Sequence, residues 1–195
     1  ERLTFESESK LNRFHSQFAP LLSSVQANES NMLSFAVLLS DEDPLSVLVL
    51  ERYARSQAYF DGHCTTQAYL DFTPKLDRLQ PNSSLSTYNE LDIGFYGRNG
   101  TDTFTLTDSR LSSAWSLAVE LTFSSDAKVT QMLEAIVPLV DYVKKSEPTT
   151  LGNKVMRGDK APLKVMIMER YVDKDDAYLK VHRSSKEFLD FKHTL

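Results

Sequence analysis

The sequence predicts an α+β protein built from two tandem split βαβ repeats whose sheets pack face to face. Three observations predict it. The first is a repeated run: residues 47–72, VLVLERYARSQAYFDGHCTTQAYLDF, return at 165–191 as VMIMERYVDKDDAYLKVHRSSKEFLDF. Glu51-Arg52-Tyr53 becomes Glu169-Arg170-Tyr171, Ala58-Tyr59 becomes Ala177-Tyr178, and His63 becomes His182. Leu70-Asp71-Phe72 closes the first copy and Leu189-Asp190-Phe191 the second. The second observation is that the match extends backwards at a constant offset. Leu3-Thr4-Phe5 answers Leu121-Thr122-Phe123, Pro20 answers Pro138, and Pro44 answers Pro162. The offset lengthens by one residue beyond Tyr171, which predicts an extra loop residue in copy two. A period this long marks two domains rather than a solenoid. The third observation is that Val47–Leu50 and Val165–Met168 are apolar at every position. A strand with one wet face alternates, so these strands are expected to be covered on both faces, by helices and by the other copy's sheet.

The elements follow in order. Residues 2–6 read as a strand, fuller in the second copy at 115–123; the first strand reads as clipped. Leu11, Phe14, Phe18, Leu21 and Val25 step by three and four, one apolar helical stripe. The second copy repeats it as Val129, Met132, Ile136, Val140 and Val143. Both helices carry a proline, Pro20 and Pro138, where a kink or break is expected at about 3 kcal/mol. Residues 32–39 and 45–53 form a hairpin across a tight Asp41–Pro44 connection; the second copy gives a vaguer strand near 150–157 and a strong one at 163–171. A short helix from Ser56 to Asp61 breaks at Gly62, and a longer one to Leu79 is capped by Thr65 or Thr66. Residues 85–96 read as the closing strand of copy one, with a bulge near Gly94. The polar stretch 97–112 is the connection, with a short strand expected over 103–107. The repeats are thus placed at 1–112 and 113–195. The order β-α-β-β-α-α-β is the ferredoxin-like plan with an extra helix.

The bulk properties bound the rest. The chain has 195 residues, 41% hydrophobic and 25% charged, with a net charge of −5. That balance implies no general nucleic-acid affinity, and no basic cluster suggests a membrane surface. No apolar run reaches the roughly 20 residues of a membrane helix. The single cysteine, Cys64, forbids an intrachain disulfide and suits a reducing, intracellular compartment. Sequons at Asn28, Asn82 and Asn99 are read as chance matches, since no leader is visible. The chain lacks an initiator Met, so secretion stays open.

The repeated motif resembles the antibiotic biosynthesis monooxygenase (ABM) family of the dimeric α/β-barrel superfamily. It consists of an apolar strand ending in Glu-Arg-aromatic, then Ala-aromatic-x-x-x-His, then an aromatic-x-x-Phe helix. Leu50 to Tyr53, Ala58 to His63 and Tyr69 to Phe72 match it, as do Met168 to Tyr171, Ala177 to His182 and Phe188 to Phe191. The resemblance covers nearly the whole chain and implies an intramolecular pseudo-dimer of the kind seen in fungal secondary metabolism; a further homodimer stays open. It implies cofactor-independent oxidation of phenols, quinols or anthrones by O2. Haem-degrading members exist, so haem is the less favoured alternative.

The resemblance places a pocket between sheet and helices. In copy one Phe14, Phe18, Phe35, Tyr53, Tyr59, Tyr69 and Phe72 are expected to line it for a small hydrophobic molecule; plain core packing is the competing reading for each. His63 is the expected base, because an imidazole titrates near neutral pH, and Glu51 would orient it. The competing reading is structural: His63 bonded to Glu51 or a backbone carbonyl, and Glu51 paired with Arg52 or Arg55. Glu169, Tyr171, Tyr178 and His182 are the second-repeat equivalents. Trp115 reads first as core. Copy one is expected to be the working copy, because it carries Tyr69 and Phe35 where copy two has Phe188 and Asn153. No metal-ligand spacing, phosphate loop or nucleophile motif appears. Two other functions stay open: a binding or assembly module without catalysis, and an isomerase or cyclase using the same pocket.

Overall fold

The computed structural model describes residues 1–98, 102–104 and 114–195. Of the strand expected over 103–107, Thr103 and Phe104 form a turn, and residues 105–107, with most of the 97–112 connection, lie outside the described residues. The described chain divides into two compact units, one over 1–85 and one beginning at Ser86.

Repeat one runs β1 (Arg2–Thr4), α1 (Glu8–Asn28), β2 (Met32–Leu39), β3 (Ser46–Tyr53), α2 (Gln57–Asp61), α3 (Gln67–Leu79) and β4 (Asn82–Ser84). A 3₁₀ turn, His63–Thr65, separates α2 from α3. Its sheet has the order β2-β3-β1-β4, with every pair antiparallel. Val47 and Val49 on β3 join the core under α1, made by Leu11, Phe14, Phe18, Leu21 and Val25. Leu48 and Leu50 point the other way and are half-buried. Residues 82–84, just beyond α3, pair with β1 as a short strand.

Repeat two runs β5 (Tyr88–Phe95), β6 (Trp115–Thr122), α4 (Asp126–Ser146), β7 (Thr150–Gly158), β8 (Lys164–Tyr171), a π-helix (Lys174–His182) and α5 (Lys186–Thr194). Its antiparallel sheet has the order β5-β7-β8-β6. The strand foreseen over 85–96 as the end of copy one therefore forms, but its ladder partner is β7 of repeat two. Sequence order suggested the nearer sheet; hydrogen-bonding partners are chosen in space. Gly94 sits where the β5–β7 register shifts, at φ 100°. A Cβ there would lie 2.1 Å from the Asn153 carbonyl oxygen. Gly94→Ala should therefore cost repeat two about 1–3 kcal/mol in backbone strain alone, read as a lower urea midpoint; a loss under about 0.5 kcal/mol would contradict the close approach.

The first helices are near copies. Ser7 and Ser125 cap their N-termini, accepting from Lys10 and Lys128 N–H. Glu29 and Glu147 cap their C-termini with matching backbone, each donating its N–H to a valine carbonyl, Val25 or Val143. Both helices run unbroken through Pro20 and Pro138, against the break that the prolines suggested. Both prolines lie on the exposed face, so the carbonyl left without a helical partner can bond water. Buried apolar residues on either side, Phe18 and Leu21 or Ile136 and Leu139, contribute about 1.5–3 kcal/mol each and outweigh the proline cost of about 3 kcal/mol.

The extra residue of copy two is not a loop residue. It is absorbed into the π-helix, the usual outcome of a one-residue insertion in a helical segment. Asp173 caps that helix, accepting from Asp176 N–H at 2.7 Å and Ala177 N–H at 3.3 Å. Among the described residues no helix is long and apolar enough to cross a membrane.

Candidate functional site

In each repeat the strand of Glu-Arg-Tyr presents its alternate residues to the helices. Val165, Ile167, Glu169 and Tyr171 share that face of β8, as Val47, Val49, Glu51 and Tyr53 do on β3. Glu169 stands opposite Asn153 on β7, and Glu51 stands opposite Phe35 on β2. The helical turn after the strand then brings a histidine back over it.

In repeat one His63 is buried at 1% exposure. Its Nδ1 lies 2.9 Å from Glu29 Oε2. The partner is thus neither Glu51 nor a backbone carbonyl but the C-capping residue of α1. The residue was legible, because Glu29 and Glu147 fall at the same offset as the other repeated positions. Among the described residues Nε2 of His63 has no hydrogen-bond partner, and the ring meets Phe35 and Tyr69 edge-on, at 5.2 and 4.9 Å between centroids. Glu51 Oε2 accepts from the Tyr53 hydroxyl at 2.5 Å, and Arg52 turns away to Ser34. Burial, then the Glu51 charge, pushes the Tyr53 hydroxyl far up, so it stays protonated. The Tyr59 hydroxyl is also pushed up, first by its contact with Tyr69.

Four of the residues expected to line a pocket in repeat one, Phe14, Phe18, Phe35 and Phe72, pack on one another. Phe18 stacks on Phe35 at 4.9 Å and meets Phe72 at 5.7 Å; Phe14 meets Phe18 at 5.4 Å. All four are buried core.

Repeat two changes three of these four rings, and Met132 stands in the place of Phe14. Ile136 replaces Phe18 and Asn153 replaces Phe35, while Phe191 keeps the place of Phe72. An apolar cavity of about 140 Å³ lies here. Leu117 and Val119 of β6, Ile136 of α4, Ile167 of β8 and Phe188 and Phe191 of α5 supply most of its wall. Its polar edge is Glu169, Tyr178 and Lys192.

Behind Glu169 lies a buried chain of polar groups. Asn153 Nδ2 donates to Glu169 Oε1 at 2.8 Å, and His182 Nε2 lies 3.7 Å from the same oxygen. On its other side His182 Nδ1 lies 2.9 Å from Glu147 Oε2, which also accepts from Thr150 Oγ1 at 2.9 Å. His182, Glu147, Thr150 and Asn153 are fully buried. Arg98 fixes the far end of this chain. Its guanidinium donates to the Val143 and Glu147 carbonyls at 2.8 and 2.5 Å, to the Thr150 carbonyl at 3.1 Å, and to the Lys144 carbonyl. A cation over the last carbonyls of α4 also suits the helix dipole. Nothing in the repeat pattern pointed to Arg98, because it lies beyond the matched segments.

The environment separates the charges. Burial raises the Glu169 carboxyl above its ordinary value, opposed by the nearby His182. Burial alone would lower His182, but the Glu147 hydrogen bond and the two carboxylate charges outweigh it and leave the imidazole raised. Burial and then Glu169 push the Tyr171 hydroxyl far up, and the half-buried Tyr178 moves the same way. Tyr178 lies against Trp115, 4.8 Å between ring centroids. Phe188 stands where Tyr69 does, so the tyrosine–tyrosine contact of repeat one has no counterpart.

The family model for the antibiotic biosynthesis monooxygenases matches residues 3–75 and 117–194. The chain belongs to that family. Both repeats of this ABM protein are matched separately, over the segments that the repeat pattern delimits. Among curated proteins no sequence matches it. Among solved structures, a provisionally named monooxygenase from Lactobacillus acidophilus NCFM superposes with TM-score 0.75 at 12% identity, over 99% of this chain and 84% of its own. A provisionally named monooxygenase from Fusobacterium nucleatum subsp. nucleatum superposes with TM-score 0.72 at 18% identity, over 98% of this chain and 82% of its own. At these identities the likeness is one of fold.

Proposed function

We propose that this ABM protein is a cofactor-independent monooxygenase that oxidises a small, single-ring quinol or phenol with O2, and that repeat two carries the reaction. The observation behind the reading is the cavity beside Glu169, with a buried carboxylate of raised pKa in an apolar wall. A cavity of about 150 Å³ takes up benzene, so about 140 Å³ suits one ring and not the three fused rings of an anthrone. Repeat one is then a scaffold, its space taken by Phe18, Phe35 and Phe72.

In this reading the Glu169 carboxylate accepts the proton of a ring hydroxyl. A carboxyl shifted upward by burial is the better base for that task. Tyr178, held protonated, can donate to the developing ring oxyanion. The electron-rich anion reduces O2, one oxygen atom bonds to a ring carbon, and the other leaves as water. A quinol that becomes a hydroxyquinone gives up four electrons and O2 takes four, so no further reductant is needed. His182 is a positioning residue here, holding Glu169 from behind. The site does not suit haem. Haem needs several times the cavity volume, and both His182 nitrogens face carboxylates.

The test is O2 uptake with single-ring quinols in the presence and absence of chelator, in the parent and in Ile136→Phe. That variant restores the ring of repeat one and should abolish uptake while leaving the urea midpoint nearly unchanged. Uptake that survives Ile136→Phe would remove the cavity from the reaction. Turnover without O2 would favour the isomerase or cyclase alternative, and saturable binding without turnover the binding module.

A further inference from the structure

Resting on repeat two as the binding site, we infer that its ligand carries an acidic substituent as well as a hydroxyl on its single ring, a hydroxybenzoate-like acid, and that Lys192 takes the acidic group. Lys192 lines the cavity yet is exposed on α5. Among the described residues no ion pair holds it, although its helix neighbours Lys186 and Asp190 pair with each other. Its ammonium is therefore free to meet a ligand.

The repeats themselves supply the second observation. Thr73 stands at this place in repeat one and turns its hydroxyl back to the Tyr69 carbonyl at 3.0 Å. Repeat two thus differs from repeat one at this wall position and at others around the same space. Ile136 takes less space in the wall than the Phe18 ring it replaces, and Lys192 adds a cation to that wall. The shared scaffold needs none of these changes, because repeat one packs without them.

The chemistry of the wall orients the ligand. It is apolar except for Glu169, Tyr178 and Lys192. A carboxylate placed against Glu169 would be repelled by a like charge in a poorly solvated site. The acid therefore belongs at Lys192 and the hydroxyl at Glu169 and Tyr178.

The experiment is calorimetric titration of the intact protein with 3- and 4-hydroxybenzoate and with their methyl esters. An ammonium partly open to water is worth up to about 1 kcal/mol, so at least one acid should bind about 5-fold more tightly than its ester. Lys192→Met should level that preference, and Lys192→Glu should invert it. Esters binding as tightly as the acids, an acid preference that survives Lys192→Met, or no acid binding at millimolar concentration would each overturn the inference. O2 uptake with unsubstituted hydroquinone, without acid preference, would remove the role of Lys192 and leave the monooxygenase reading. Acid binding that depends on Lys192, without O2 uptake, would do the reverse.

Discussion

Glu147→Ala is expected to destabilise repeat two by about 3–5 kcal/mol, the loss typical of removing one partner from a buried pair. Glu147 is fully buried and its Oε2 serves both His182 Nδ1 and Thr150 Oγ1. Its removal leaves a buried imidazole and a buried hydroxyl without partners. The loss should depend on pH. The folded His182 value is raised above the ordinary 6.5, so its contribution is complete below about 6.5 and is lost as pH rises through the folded value. In the variant the hydrogen bond that raises His182 is gone and burial dominates. The variant's imidazole then resists protonation, and stability falls as pH drops through 6.5. The gap between parent and variant should therefore be widest in acid and narrow toward alkaline pH. Urea unfolding followed by Trp115 fluorescence reads this directly, because the only tryptophan packs on Tyr178 within repeat two. A loss below about 1 kcal/mol, independent of pH, would show that Glu147 and His182 are not coupled.

Glu169→Gln should lower the kcat for O2 uptake by about 10²–10⁴-fold, the usual contribution of a positioned general base, while Glu51→Gln leaves uptake nearly intact. The glutamine side chain keeps the shape and can still accept from Asn153, so the fold is spared. What it loses is the capacity to take a proton. The paired variant assigns the reaction to one repeat, because Glu51 occupies the same place on β3 but is engaged by Tyr53 and backed by packed rings. Loss of uptake in Glu51→Gln with retention in Glu169→Gln would return the site to His63 and Glu51 of repeat one. Equal, small effects in both would leave the carboxylates as structural groups.

Much of the fold was legible because it is written twice. The Glu-Arg-Tyr strand, the Ala-Tyr-x-x-x-His turn and the Leu-Asp-Phe helix fix the order of elements and the place of the histidine after the strand. The residues of the candidate site were legible, but their arrangement was not. Phe18, Phe35 and Phe72 could be read as pocket walls or as core, because aromatic rings line cavities as well as fill cores, and the structure packs them against one another. Asn153 and Phe188, standing where copy one has Phe35 and Tyr69, were read as marking the second copy as the idle one. The histidine partner was also misplaced: Glu29 and Glu147 lie too far along the chain from His63 and His182 for local spacing to join them.

The sequence by itself determined the duplication, the order of elements within each repeat and the residues that the repeats share, because periodicity and offset are properties of the chain. Only the tertiary structure decided that the strand Tyr88–Phe95 hydrogen-bonds to β7, that the extra residue winds into a π-helix, and that space is left beside Glu169. Each of these depends on which groups meet and on how much volume their side chains leave over, and neither is set by distance along the chain.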